Sequence, residues 1–128
     1  MRVLIDTHVF LWFIAGDNRL SKRVRHLIER PDNEVLLSIA SVWEIAIKTS
    51  IGKLTMSEPF DELIPEQVVD NEIEMLAIHL DDLKLVATLP LHHRDPFDRL
   101  IISQAITQGI PLASDDANFD QYNVVRLW

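Results

Sequence analysis

There is no cysteine in the chain, which removes disulfides and thiolate metal sites from consideration and suits a reducing compartment. Glycine is scarce, at three residues, and 48% of the chain is hydrophobic, which describes an ordinary globular protein and not a disordered one. No uncharged apolar run reaches the ~18 residues that a membrane span requires. The apolar start, MRVLIDTHVFLWFIAG, is broken by Asp6 and His8 and has no small-residue cleavage site, so the expectation is a cytoplasmic protein with no membrane partner. Basic residues are also in deficit, 12 against 20 acidic, for a net charge of −8. That balance argues against binding nucleic acid through a broad basic surface. It leaves room for a site in which divalent cations supply the positive charge.

The 128 residues are read as one domain, residues 1–128. Arg2–Ile5, Glu34–Ser38, Glu72–Leu76, Ile110–Ala113 and Val124–Leu127 read as strands. Helical spacing and end signals predict helices over Thr7–Ala15, Ser21–Arg30, Ala40–Ile51, Pro59–Asp70, His79–Leu89 and Pro96–Gln108, with a helical turn over Ala117–Tyr122. Pro65 weakens the fourth of these helices. Strands alternating with helices through short loops predict an α/β fold with a parallel sheet covered on both faces. Ligands bind such sheets beyond the carboxyl ends of the strands, where Asp6 and Ser114–Asp115–Asp116 fall.

Most of the acids need no special account: Glu62, Glu66, Asp70, Glu72, Asp81 and Asp82 fall on polar faces. Four positions are different. Glu44 shares its helical face with Ala40, Ile47, Lys48 and Ile51, where an ionised carboxylate is costly unless it is paired, hydrogen-bonded or bound to metal. A capping box with Ser41 or an ion pair with Lys48 is the plainer account. In the stretch HHRDPFDRLIISQA, His92–Ala105, Asp95 and Pro96 read as an N-cap and first helical residue. Asp98 then heads a stripe of Ile101, Ile102 and Ala105. Asp6 follows a buried strand, and Asp115 and Asp116 follow another, where one of them suffices as a helix cap.

Four acids at one edge of a sheet repel one another and need a cation. All-oxygen ligation selects Mg²⁺ or Mn²⁺ over zinc. None of the five histidines has zinc-like spacing, and the adjacent His92 and His93 read as loop residues. An acidic Mg²⁺ cluster commonly binds a phosphate ester and activates water for in-line attack. Arg94, Arg99, Lys48 and Lys53 are then candidates to hold flanking phosphates, with solvated surface or ion pairing as the alternative.

The ordered segments LIDTHV, SVWEIAIK, LPLHHRDPFDRLIISQA and LASDDANF resemble the PIN-domain family, and more narrowly the toxins of VapBC-type toxin–antitoxin pairs. The resemblance spans essentially the whole chain. It implies a PIN-like three-layer sandwich, with a mostly parallel central sheet flanked by helices, and Mg²⁺- or Mn²⁺-dependent ribonuclease activity. It also implies a cognate antitoxin that inserts into the active-site groove, and a homodimer. Matched position by position, the family's acids fall on Asp6, Glu44, Asp98 and Asp116, with Asp115 as the alternate for the last. Thr7 is the hydroxyl near the metals and Ser114 supports it. Arg94, Arg99 and Lys48 become candidate phosphate or antitoxin contacts. Ser114–Asp115 stands where threonine and a small or neutral residue are usual.

The expected activity is therefore RNA hydrolysis by water, with Asp6, Glu44, Asp98 and Asp116 holding one or two Mg²⁺ ions. An inactive PIN scaffold that only binds a partner is the alternative. A receiver-like phosphoacceptor fits less well, because Asp115 and Asp116 come late and Val124–Trp128 has no lysine. A haloacid-type phosphatase wants an aspartate where His8 stands. No base-reading motif is visible. Phe10, Trp12 and Phe13 offer aromatic surface for core packing or for an antitoxin.

Overall fold

Val3, Leu4 and Ile5 are consecutive large aliphatic residues and all fully buried, as in a strand covered on both faces. The computed structural model describes residues 1–128. Its strands are β1 (Arg2–Ile5), β2 (Glu34–Ser38), β3 (Glu74–Leu76), β4 (Leu112–Ala113) and β5 (Arg126–Leu127). They form one sheet of order β3-β2-β1-β4-β5, and every pairing is parallel. The helices are α1 (Thr7–Ala15), α2 (Lys22–Glu29), α3 (Ile39–Ser50), α4 (Phe60–Asp70), α5 (Leu80–Thr88) and α6 (Pro96–Gln108), with a 3₁₀ turn at Ala117–Gln121.

The pleat sends alternate residues to opposite faces and so builds two cores. Val3, Ile5, Val35 and Leu37 join Val9 and Phe10 of α1, Val24 and Leu27 of α2 and Ile64 of α4 on one side. Leu4, Leu36 and Leu112 join Ile101, Ile102 and Ala105 of α6 and Phe119 on the other. The sheet is thus the middle of three layers, as the sequence predicts. Three strands, β3, β4 and β5, are shorter than expected at their starts, β3 because Glu72 takes a left-handed turn with φ of 53°. Pro65 sits within α4, where it has no N–H to offer the Asp61 carbonyl one turn back, and the helix continues through it.

Asp82 departs from its polar-face reading, since it is only 2% exposed. Its carboxylate accepts the His79 N–H at 2.8 Å, which caps α5, and the Thr107 hydroxyl of α6. The acid therefore ties two helices together instead of meeting solvent.

Chain order fixes where a ligand can enter. From β1 the chain moves outward to β2 and β3, and later returns to β4 on the opposite side of β1. The crevice of such a sheet opens beyond the carboxyl ends of β1 and β4, where the direction of winding reverses. Asp6 leaves β1 there, with its N–H bonded to Ala113 O of β4 at 3.1 Å.

Candidate acidic metal centre

Asp6 serves first as the N-cap of α1, where Oδ1 accepts the Val9 N–H at 2.8 Å. It is 4% exposed, and burial pushes its pKa up to about 6 despite that hydrogen bond. Thr7 follows and turns its hydroxyl to α3. Thr7 Oγ1 lies 2.9 Å from both Glu44 Oε1 and Ser41 Oγ. A hydroxyl has one proton, so Thr7 gives it to the carboxylate and accepts from Ser41.

Glu44 is 4% exposed, and Lys48 Nζ donates to its Oε2 at 2.7 Å. The predicted ion pair is present. The capping box with Ser41 is not, because α3 begins at Ile39 and Ser38 caps it through the Ala40 N–H. Lys48 has its pKa raised, chiefly by the hydrogen bond to Glu44 and also by the charges of Asp95 and Asp98. It is thus a cation of the site's rim already engaged by an acid.

The two aspartates of HHRDPFDR separate by role. Asp95 Oδ1 accepts the N–H groups of Phe97 and Asp98 at 2.9 and 3.0 Å and caps α6, with Pro96 at its first position. Asp98 faces the centre, and its pKa is pushed up to about 7 by burial first and then by Asp95, Asp6 and Glu44, against the pull of His93. Asp6, Glu44 and Asp98 are therefore near enough to repel one another.

Beyond β4 the chain also distinguishes its adjacent acids. Ser114 is fully buried, and its Oγ accepts the Asp116 N–H at 3.0 Å. That turn points Asp116 inward, with Oδ1 capping the 3₁₀ turn through the Asn118 N–H and Oδ2 lying 2.9 Å from His93 Nε2. Asp115 is exposed, although its charge still reaches Asp6. Asp98 Oδ2 lies 3.2 Å from the same His93 nitrogen. Ligand atoms of His93, Asp98 and Asp116 all fall within 4.8 Å of one another.

Two sequence readings need correction here. His93 is not merely a loop residue, since its ring stands between two of the acids; His92 is exposed and packs edge-on against Tyr122 at 5.2 Å. No sequence spacing signals His93, because the loop that delivers it is shaped by residues far along the chain. Arg99 is not a free phosphate contact. Its guanidinium donates to four carbonyls, those of Val86, Leu89, Pro90 and His93, at 3.0–3.4 Å. It closes the carboxyl end of α5 and pins the loop carrying His93. Arg99→Ala is expected to lower stability by about 2–3 kcal/mol, with Arg99→Lys recovering little because one ammonium cannot span four acceptors; urea melts measure both. Arg94 and Lys53 are exposed.

Beside the acids, a cavity of about 700 Å³ is lined by Leu11, Trp12, Leu54 and Met56, with Lys48 and Lys53 at its edge. Trp12 is partly buried, with Trp128 edge-on at 6.0 Å and the Arg19 guanidinium 5.2 Å from its ring centre. Phe10 is fully buried, so the aromatic cluster divides between core and groove.

Residues 3–125 match the PIN domain family. The chain belongs to the PIN-domain family. Ribonuclease VapC22 of Mycobacterium tuberculosis is 29% identical over 115 residues, covering 89% of this chain and 86% of that protein. Ribonuclease VapC16 of the same organism is 41% identical over 44 residues, a match spanning 34% of this chain and only 31% of that protein. Among solved structures, Rickettsia felis VapBC2 bound to a promoter DNA fragment aligns with 99% of this chain and 98% of its own, with a TM-score of 0.74 and 15% identity. VapBC-1 from nontypeable Haemophilus influenzae aligns with 99% of this chain and 97% of its own, with a TM-score of 0.70 and 15% identity. At those identities the agreement concerns the fold, an all-parallel PIN sheet with helices on both faces. No helix is long and apolar enough to cross a membrane.

Proposed function

We propose that this single PIN domain, residues 1–128, is a divalent-metal-dependent endoribonuclease and the toxin of a type II toxin–antitoxin pair. The observation that carries the reading is that Asp6 and Glu44 come near enough to Asp98 for their charges to repel it, with Asp116 set against the same His93 nitrogen as Asp98. The VapC ribonuclease name of the relative aligned with most of the chain supports the RNA substrate.

The donors fit a hard divalent cation. Asp98 and Asp6 are pushed up to about 7 and about 6, the mark of negative charge lacking compensation in a partly desolvated place. Carboxylate oxygens dominate the set, which favours Mg²⁺ or Mn²⁺. Asp6, Glu44, Asp98 and Asp116 would hold the ion. When bound, it supplies Lewis acidity toward a phosphodiester oxygen and toward the attacking water.

The chain's own residues do the positioning. Thr7 holds Glu44 Oε1, and Lys48 holds Oε2 while placing positive charge at the mouth of the site. Ser114 aims Asp116 through its backbone, and Asp95 fixes where α6 starts, hence where Asp98 points. Arg94 and Lys53 are free to meet flanking phosphates. Mapping cuts on total cellular RNA after brief expression without the antitoxin tests the substrate. Discrete Mg²⁺-dependent cut sites are expected; intact RNA would contradict the reading.

The similar solved structures are of VapBC proteins, which supports an antitoxin as the protein partner of this chain. The cavity beside the acids, lined by apolar and polar side chains in near equal measure, is the groove assigned to it. A homodimer is supported by the exposed ridge that Ile39, Trp43 and Ile47 of α3 form at four-residue spacing with Ile51, the residue that ends the helix. Trp43 is 56% exposed and packs edge-on against Phe97 of α6. Trp43→Glu is expected to give a monomer by sedimentation equilibrium where the parent protein is a dimer.

A further inference from the structure

Among the residues of the site, His93, in the loop before α6, is held in a determinate chemical form. The Asp95 backbone N–H points at His93 Nδ1 from 3.2 Å. An amide nitrogen can only donate, so Nδ1 carries the lone pair and the ring proton sits on Nε2. That Nε2–H is 2.9 Å from Asp116 Oδ2 and 3.2 Å from Asp98 Oδ2. The hydrogen bond is to Asp116, and the Asp98 oxygen stands close beside the same N–H.

The ring cannot easily turn away. Its backbone N–H donates to Tyr122 Oη at 2.7 Å, and Tyr122 Oη donates to Pro90 O at 2.7 Å. Arg99 holds the His93 carbonyl, and the ring leans on Phe119 at 5.5 Å between centres. Residues from α6 and from the segment after β4 therefore converge on one loop, and each restrains the imidazole.

We propose that His93 is a positioning residue of the nuclease centre: a fixed Nε2–H donor that holds one oxygen of Asp116, stands against Asp98, and leaves the remaining Asp116 lone pairs to the cation. The inference rests on the nuclease reading of the site. Ligation through Nε2 is the rival arrangement, and it requires the proton to move to Nδ1. There it would oppose the Asp95 N–H, leaving two donors face to face with no acceptor between them. Asp95 therefore has a second task. Its side chain caps α6, and its amide selects the tautomer of His93.

Long-range proton–nitrogen correlation on the whole protein, with ring-¹⁵N histidine, reads the tautomer directly. The Nε2–H form is expected at pH 8, both without metal and with saturating Mg²⁺. A change to the Nδ1–H form on adding Mg²⁺ would make His93 a ligand and overturn the proposal. Mn²⁺ calorimetry gives a second readout. His93→Ala is expected to bind Mn²⁺ about tenfold more weakly, whereas His93→Gln, which keeps an N–H donor, stays within about threefold of the parent. Equal or tighter binding by His93→Ala would overturn the positioning role even with the parent's metal site intact. A parent protein that binds neither ion would remove the nuclease reading, and this role with it.

Discussion

Replacing Asp98 with asparagine is expected to abolish RNA cleavage while making the metal-free protein more stable. The two effects have one cause. Asp98 heads the inward stripe of α6, and burial together with Asp95, Asp6 and Glu44 raises its pKa to about 7. Ionised, it is a liability to the fold; asparagine has the same shape and no charge to desolvate. At pH 8 the variant should gain about 2 kcal/mol in urea melts without metal. The same change would remove an oxygen anion from the proposed metal site. Loss of several kcal/mol of transition-state stabilisation corresponds to about a 10³-fold fall in cleavage rate or more. A merely structural acid would give the opposite stability result, since removing a satisfied buried carboxylate destabilises.

The second large effect is on stability against pH. Asp6 and Asp98 have folded pKa values of about 6 and about 7, above the ordinary 3.8. Between those limits the folded state binds more protons than the unfolded chain, so stability falls as pH rises. Their contribution is complete below about pH 4 and lost above about pH 7. For the two acids together the change is on the order of several kcal/mol. Mg²⁺ bound there would supply the compensation that protons supply in acid. At a hundred times its dissociation constant, the ion should add about 2.7 kcal/mol at pH 8, or about 10 °C in melting temperature. The increment should shrink toward pH 5, where protons hold the same carboxylates. Thermal melts over this pH range, with Mg²⁺ and with a chelator, measure it. An increment independent of pH would mean that these acids are not the ones engaged.

The parallel sheet and its helices were legible in the sequence because each strand or helix carries its own periodicity. Asp6, Glu44 and Asp98 could be picked out for the same reason: each interrupts an apolar pattern within its own turn or strand end. The choice between Asp115 and Asp116 rested on resemblance, and the turn that separates them is a hydrogen bond from the Asp116 N–H to a buried Ser114 hydroxyl. What stayed hidden depends on contacts between distant segments. Asp82 looked solvated beside Asp81 and Lys84, yet its face is closed by Thr107 of α6. Arg99 looked free because a long side chain can fold back on carbonyls that no spacing rule associates with it. His93 reaches the acids only because Arg99 and Tyr122, six and 29 residues away, shape its loop.

The central claim is that carboxylates at the ends of β1 and β4 and at the start of α6 hold a divalent cation for RNA hydrolysis. Its most direct measurement is cleavage of a labelled RNA by the purified protein with Mg²⁺, with a chelator, and after Mg²⁺ is restored, alongside folded Asp6→Asn. Cleavage that stops with the chelator, returns with Mg²⁺ and is absent from Asp6→Asn is the expected result. Cleavage that persists in the chelator, or that proceeds at full rate in Asp6→Asn, would contradict it.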